Sequence, residues 1–243
     1  MSKWVISGIQ TGIKTTRYPR KEENAAGVSP GLPVGGDYPP EKISSLIDRC
    51  PTHVFSRKDD RLVVDPRHCV HCYRCVRDTN QPVNWQENYE WAMMEEGRGK
   101  FDKAYEQSVH ICVVDAGDCG ACLNEVKQLN NPYYNMHRLG FFITPTPRHA
   151  DVLLVVGTVT ENMKFALKKA YDAMPNPKRV IAVGACALTG GVFAESFVCS
   201  KVADVLPVDV QVPGDPPPPL AILHGLMVVT GRKTPMPSVT ILK

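Results

Sequence analysis

The chain comprises 243 residues, 43% of them hydrophobic, and its 28 Lys and Arg against 25 Asp and Glu leave a formal net charge of +3. That length supports one large domain or two modest ones with a proper core. So mild a charge, with no basic run interleaved with aromatics, excludes a nucleic-acid-binding surface. The opening MSKWVISGIQ lacks the apolar core and cleavage site of a secretory signal. The longest apolar stretches, near 152–156 and 220–229, fall short of the ~20 residues a spanning helix needs. These features predict a soluble, intracellular chain without a transmembrane span.

Residues 1–40 are rich in Gly, Pro and charge and show no long periodic segment, as expected of an extended arm that contacts a partner or a membrane. Residues 41–80 hold Cys50-Pro51 and the run Cys69-Val-His-Cys72-Tyr-Arg-Cys75. Residues 81–109 are polar and helix-prone, with Trp91, Ala92, Met93 and Met94 beside a string of charges, and read as a linker helix. The pattern changes near residue 110. Ile111–Val114, Val152–Val156, Arg179–Val183 and Val208–Val212 read as strands, alternating with helices over 121–130, 160–173 and 218–230. Such alternation predicts βαβ units and a parallel sheet covered by helices over residues 110–232, followed by a tail at 233–243. Cys119, Cys186 and Asp215 each sit just past the carboxyl end of a predicted strand, and loops at that end gather at one rim. Residues remote in sequence are therefore expected to converge there.

Nine cysteines in a chain without a secretory leader favour metal over disulfides. Three thiolates at successive three-residue steps, with a remote Cys-Pro, suit the corners of an iron–sulfide cube. Cys50, Cys69, Cys72 and Cys75 are thus the expected ligands of a first 4Fe-4S cluster. The alternative is a structural zinc knot, which takes four donors around one ion. His68 and His71 are read as solvated loop residues. Cys112 lies inside a strand and reads as a buried apolar cysteine.

A lone Cys-x-x-Cys is a weak signal, but here it stands with several other motifs. These are Cys119-Gly-Ala-Cys122-Leu-Asn-Glu125, Thr146-Pro-Arg-His-Ala-Asp151, Gly184-Ala-Cys186-Ala-Leu-Thr-Gly-Gly191 and Pro207-Val-Asp-Val-Gln-Val-Pro213-Gly214. Together they resemble the small subunit of membrane-bound, energy-converting nickel–iron hydrogenases, including the formate hydrogenlyase type, and the homologous 20 kDa iron–sulfur subunit of respiratory complex I. The resemblance covers roughly residues 108–232. The respiratory version has adjacent cysteines at the first position, so the separated Cys119 and Cys122 look closer to the hydrogenase branch. Gly12-Ile-Lys-Thr-Thr-Arg17-Tyr18-Pro19, followed by ferredoxin-type cysteines, is similar to the start of the ferredoxin subunit of the same complexes.

The resemblance implies a flavodoxin-like domain preceded by a small ferredoxin-like segment, together carrying two 4Fe-4S clusters. It places Cys119, Cys122 and Cys186 on the second, proximal cluster. The family's fourth cysteine is replaced by Asp215, a harder and weaker donor to sulfide-bound iron. Three outcomes stand open: Asp215 ligates, that iron is open or labile, or Cys199 takes its place. Glu125 falls where the family has a carboxylate implicated in proton passage, against the plainer reading of an exposed helix residue.

The chain would then relay electrons to or from a large catalytic subunit, peripheral on the cytoplasmic face of a membrane. Its other expected partners are membrane-arm subunits and a ferredoxin or other iron–sulfur subunit. The alternatives are a complex I-like or hydrogenase-derived complex without hydrogenase activity, and a non-redox module in which metal staples loops for interaction.

Overall fold

The computed structural model describes residues 2–77, 82–194 and 199–237. The arm opens with helix α1 (Lys3–Thr11), which buries none of its side chains. This helix was not apparent from residue periodicity, because Gly8 and the β-branched Val5, Ile6 and Ile9 give it weak intrinsic propensity. Strand β1 (Leu32–Pro33) precedes helix α2 (Pro40–Arg49), which starts on a proline, buries Ile43 and Leu46, and delivers Cys50 at its carboxyl end. Strands β2 (Phe55–Lys58) and β3 (Arg61–Val64) form an antiparallel hairpin. Its turn, Asp59-Asp60, has both residues at positive φ, the twist that two-residue hairpins favour.

The expected helix over 81–109 does not form among the described residues. Among its described residues lie β4 (Trp85–Gln86), which pairs with β1, β5 (Met93–Met94), and a single 3-10 turn at Lys103–Tyr105. Trp91 is fully buried, and Met94 and Met93 pair antiparallel with Val210 and Gln211. Core burial and a sheet edge outweigh local helix preference here.

From residue 109 the alternation follows the sequence reading. The order is β6 (Val109–Asp115), α3 (Ala121–Gln128), β7 (Phe141–Ile143), β8 (Val152–Val156), β9 (Val159–Thr160), α4 (Glu161–Ala173), β10 (Arg179–Val183), α5 (Ala185–Thr189), β11 (Cys199–Ser200), β12 (Val210–Val212) and α6 (Pro219–Val229). The main sheet runs β5-β12-β10-β8-β6-β7, parallel throughout except for the β5 edge. Renumbering its parallel strands in chain order gives 2-1-3-4-5, the flavodoxin-like order whose switch point lies between β6 and β8.

Alternate residues of each strand serve opposite faces. Val152, Leu154 and Val156 pack with α3 and α6, whereas Leu153 and Val155 pack with Leu167 of α4 and with Ala187 and Leu188 of α5. Cys112 lies buried on the α4 face, as its apolar setting predicted. The α6 face is continuous with Tyr18, Ile43, Leu46, Val54 and Trp91. The amino-terminal segment and the sheet therefore share one core.

His224 fastens that junction. Fully buried on α6, it accepts the Ala92 N–H on Nδ1 at 3.1 Å, and its Nε2 lies 3.1 Å from the Thr234 carbonyl. Burial lowers its pKa and Lys233 adds to this, while Glu90 and the Thr234 contact oppose. The unfolded imidazole titrates near ~6.5, so as pH drops below that value the unfolded chain binds more protons and stability is lost. Urea midpoints should decline as pH drops through this window. His224→Asn keeps an acceptor but has no titrating ring, and should flatten the slope; an equally steep slope in the variant would contradict the assignment.

Candidate metal centres

The first cysteine set converges because three short elements end at one place. Cys50 closes α2, and its Sγ accepts the Val54 N–H at 3.3 Å. Cys69 follows a 3-10 turn, Pro66–His68, whose start is capped by Asp65 accepting the Arg67 N–H at 3.1 Å. His71 and Tyr73 then adopt left-handed backbone on either side of Cys72, turning the chain back on itself. Cys50, Cys69, Cys72 and Cys75 all line one cavity, together with Leu46, Phe55 and Trp85. Burial pushes the Cys69 thiol up to about 12; Cys75, Cys50 and Cys72 push the same way, against a hydrogen bond from the His71 backbone. Four mutually repelling sulfurs around a common space fit an iron–sulfide cube, which accepts thiolates from several directions.

The second set gathers at the carboxyl rim of the sheet. Asp115 accepts the N–H groups of Gly117 at 2.9 Å and Asp118 at 2.7 Å, fixing the turn after β6. Asp118 in turn accepts those of Gly120 and Leu123, each at 3.0 Å, which pins the start of α3. Cys119 is exposed just before α3 and Cys122 is buried in its first turn. The loops after β10 and β12 are bonded through the Gly184 N–H to Val212 and the Ala185 N–H to Gly214, both 2.8 Å. Cys186, in the first turn of α5, and Asp215, on the loop after β12, are each partly buried.

Burial raises the Cys122 pKa, and the charges of Asp118, Asp215, Cys186 and Cys119 raise it further. Cys119, Cys186 and Asp215 are thus near enough for their charges to act on the Cys122 thiol. Burial, then Asp118, also raises Asp215. Three thiols and a carboxyl fit a cluster with one weaker, oxygen-donating corner.

Glu125 lies one turn beyond Cys122, half-buried, and burial raises its pKa. Arg148 and His149 are exposed in a 3-10 turn. The backbone of Cys199 pairs with Thr160, whereas its side chain lies outside the described residues. Among the described residues, no three His, Cys, Asp or Glu side chains stand close enough to share one metal ion.

The residue that sequence reasoning passed over is His71. It is half-buried, not solvated, and its Nδ1 accepts the Asp215 backbone N–H at 3.1 Å. Burial lowers its pKa, in keeping with a neutral ring. Its position inside a Cys-x-x-Cys, flanked by Trp85 and Trp91 farther along the chain, was the available signal. A second tie joins the two sets where the Thr189 hydroxyl meets the Arg67 carbonyl at 3.4 Å.

Gly184 tests the packing of the second centre. Its φ is +92°, and an added Cβ would lie 2.5 Å from the Cys122 Sγ. Gly184→Ala is expected to lose the iron of the second centre and keep that of the first, read by iron content and low-temperature EPR. Full iron occupancy in the variant would show that the sulfur lies elsewhere.

The sequence pattern of the NADH ubiquinone oxidoreductase, 20 Kd subunit family matches residues 119–229, a span that begins at Cys119 and leaves the first cysteine set outside it. The uncharacterized protein MJ0516 of Methanocaldococcus jannaschii is 42% identical over 131 residues, covering 54% of this chain and 88% of that protein. The probable membrane-bound hydrogenase subunit mbhJ of Pyrococcus furiosus is 39% identical over 150 residues, covering 61% of this chain and 90% of that protein. Formate hydrogenlyase subunit 7 of Escherichia coli is 37% identical over 130 residues, covering 53% of this chain and 51% of that protein. With its parallel sheet and a cysteine-bearing rim at the matched positions, the chain belongs to the NADH ubiquinone oxidoreductase 20 Kd subunit family.

Proposed function

We propose that this chain is an electron-transfer subunit of a membrane-associated oxidoreductase complex of the hydrogenase and complex I lineage. The observation that carries the reading is the juxtaposition of two thiol-rich sites, one lining a cavity and one at the sheet rim, joined through His71. A 4Fe-4S cluster in each site would supply reversible one-electron chemistry. Cys50, Cys69, Cys72 and Cys75 hold the first; Cys119, Cys122, Cys186 and Asp215 hold the second.

The chain's own residues then do three things. Leu46, Phe55 and Trp85 shield the first site from water, and solvent exposure is among the factors that set cluster potential. Asp115 and Asp118 fix the loop that carries Cys119. Glu125, whose carboxyl keeps its proton to higher pH than an exposed glutamate, passes protons beside the second site. The exposed Trp4, Ile6 and Ile9 of α1 suit an arm that docks on a partner subunit.

The expected partners are a large catalytic hydrogenase-like subunit, membrane-arm subunits, and a ferredoxin-type donor or acceptor. No helix among the described residues is long and apolar enough to cross a membrane. Association through those partners places the chain peripherally, on the cytoplasmic face. Asp215 favours a second reading, a hydrogenase-derived complex acting on quinone or another substrate, since an altered fourth ligand changes the centre's potential.

Anaerobically purified protein should contain iron and acid-labile sulfide in equal amounts, with two one-electron transitions in an EPR-monitored redox titration. Zinc without sulfide would sink the proposal. Asp215→Cys should shift the potential and spectrum of the second centre alone. An unchanged second signal would remove Asp215 from the ligand set while leaving the two-cluster reading intact.

A further inference from the structure

His71 belongs to both sites at once. Its backbone is bonded directly to Cys72 of the first set. Its ring reaches the second, where Nδ1 accepts the Asp215 backbone N–H at 3.1 Å. An N–H donor on Nδ1 leaves the neutral ring's proton on Nε2, which donates to the Gly31 carbonyl at 3.0 Å. Both nitrogens are therefore committed and the tautomer is fixed. The ring stands among Trp85, Trp91 and Tyr73, with centroids 5.8, 6.2 and 6.2 Å away. The residue holds φ +48°, a backbone region that residues other than glycine seldom occupy without a local cause.

We propose that His71 is the bonded route by which an electron crosses between the two centres. The inference rests on the two-cluster reading given above. Tunnelling decays more steeply across gaps between unbonded atoms than along covalent and hydrogen bonds. From Cys72 through the His71 ring to Asp215 the path is covalent except for one hydrogen bond. The Thr189–Arg67 contact is longer, at 3.4 Å, and neither of its residues adjoins a cysteine directly.

In the step itself, one electron leaves the reduced first centre, which is oxidised, and arrives at the oxidised second, which is reduced. A reduced iron–sulfur donor of the ferredoxin class supplies the next electron. No bond breaks, and Nε2 keeps its proton throughout.

Two amide variants separate this route from a merely structural role. In His71→Asn the side-chain oxygen takes the place of Nδ1, and asparagine tolerates the left-handed backbone. In His71→Gln the amide reaches toward Gly31, and the bond to Asp215 is lost. Amide hydrogen exchange at Asp215 reports which variant keeps that bond.

Transfer is read after flash photoreduction of anaerobic protein, following both signals by rapid-freeze EPR, with iron and sulfide assayed in parallel. The expected result is a several-fold slower rate in His71→Gln and a rate close to that of the unmodified protein in His71→Asn. Both variants should keep full iron and unaltered individual spectra. Equal rates in all three proteins overturn the route, as does equal slowing in both variants. Loss of the second signal in His71→Gln alone assigns His71 to holding the Asp215 loop, and loss of clusters in both variants assigns it to assembly; each overturns the route. If the unmodified protein lacks two clusters, the underlying reading fails and the route falls with it.

Discussion

Parallel pairing that ends four strands at the same level is the constraint on which the rest of the structure depends. Asp115 stands opposite Val156, Val156 opposite Val183, and Val183 opposite Val212. The loops leaving β6, β10 and β12 therefore start side by side, and Cys119, Cys186 and Asp215 are delivered to one rim. A slip of one residue in any of these strands would turn its apolar side chains to the wrong face and stagger its loop. Close approach at the rim needs backbone without a Cβ. Gly184 beside Cys122, and Gly191, where a Cβ would lie 2.9 Å from the Cys186 Sγ, provide it.

The segment that carries Cys50, Cys69, Cys72 and Cys75 is built into this frame rather than appended to it. Ile43, Leu46 and Val54 share a core with Leu154, Val212 and α6, and Trp91 lies fully buried between the two parts. Sites lodged in one core keep a fixed separation, which is what a relay between them requires. A flexible tether would let that separation vary. The hydrogen bonds from Asp215 to His71 and from Thr189 to Arg67 extend the same rigidity to the cysteine-bearing segments.

The parallel domain was largely legible in the sequence because its strands announce themselves. Val152–Val156 and Arg179–Val183 are short apolar runs rich in β-branched residues, and both strands have those bounds. Where the reading failed, tertiary contacts decided. Trp91 to Met94 carry helix-compatible side chains, yet the open edge of β12 draws Met93 and Met94 into a strand. Phe141–Ile143 is too short for periodicity to reveal, and pairing with β6 makes it the outer parallel strand. The spacing of the first cysteine set foretold that Cys50, Cys69, Cys72 and Cys75 would line one cavity. The contact of His71 was not legible, because a histidine's role depends on what the fold brings to its ring. Here that is the backbone of a residue 144 positions away.

Anomalous diffraction at the iron edge, from crystals of anaerobically prepared protein, tests the central claim most directly. Two compact iron peaks are predicted. One lies among the sulfurs of Cys50, Cys69, Cys72 and Cys75, and the other beside Cys122 within reach of Cys119, Cys186 and Asp215. A single peak, zinc scattering in place of iron, or iron away from the rim of the sheet would contradict the account.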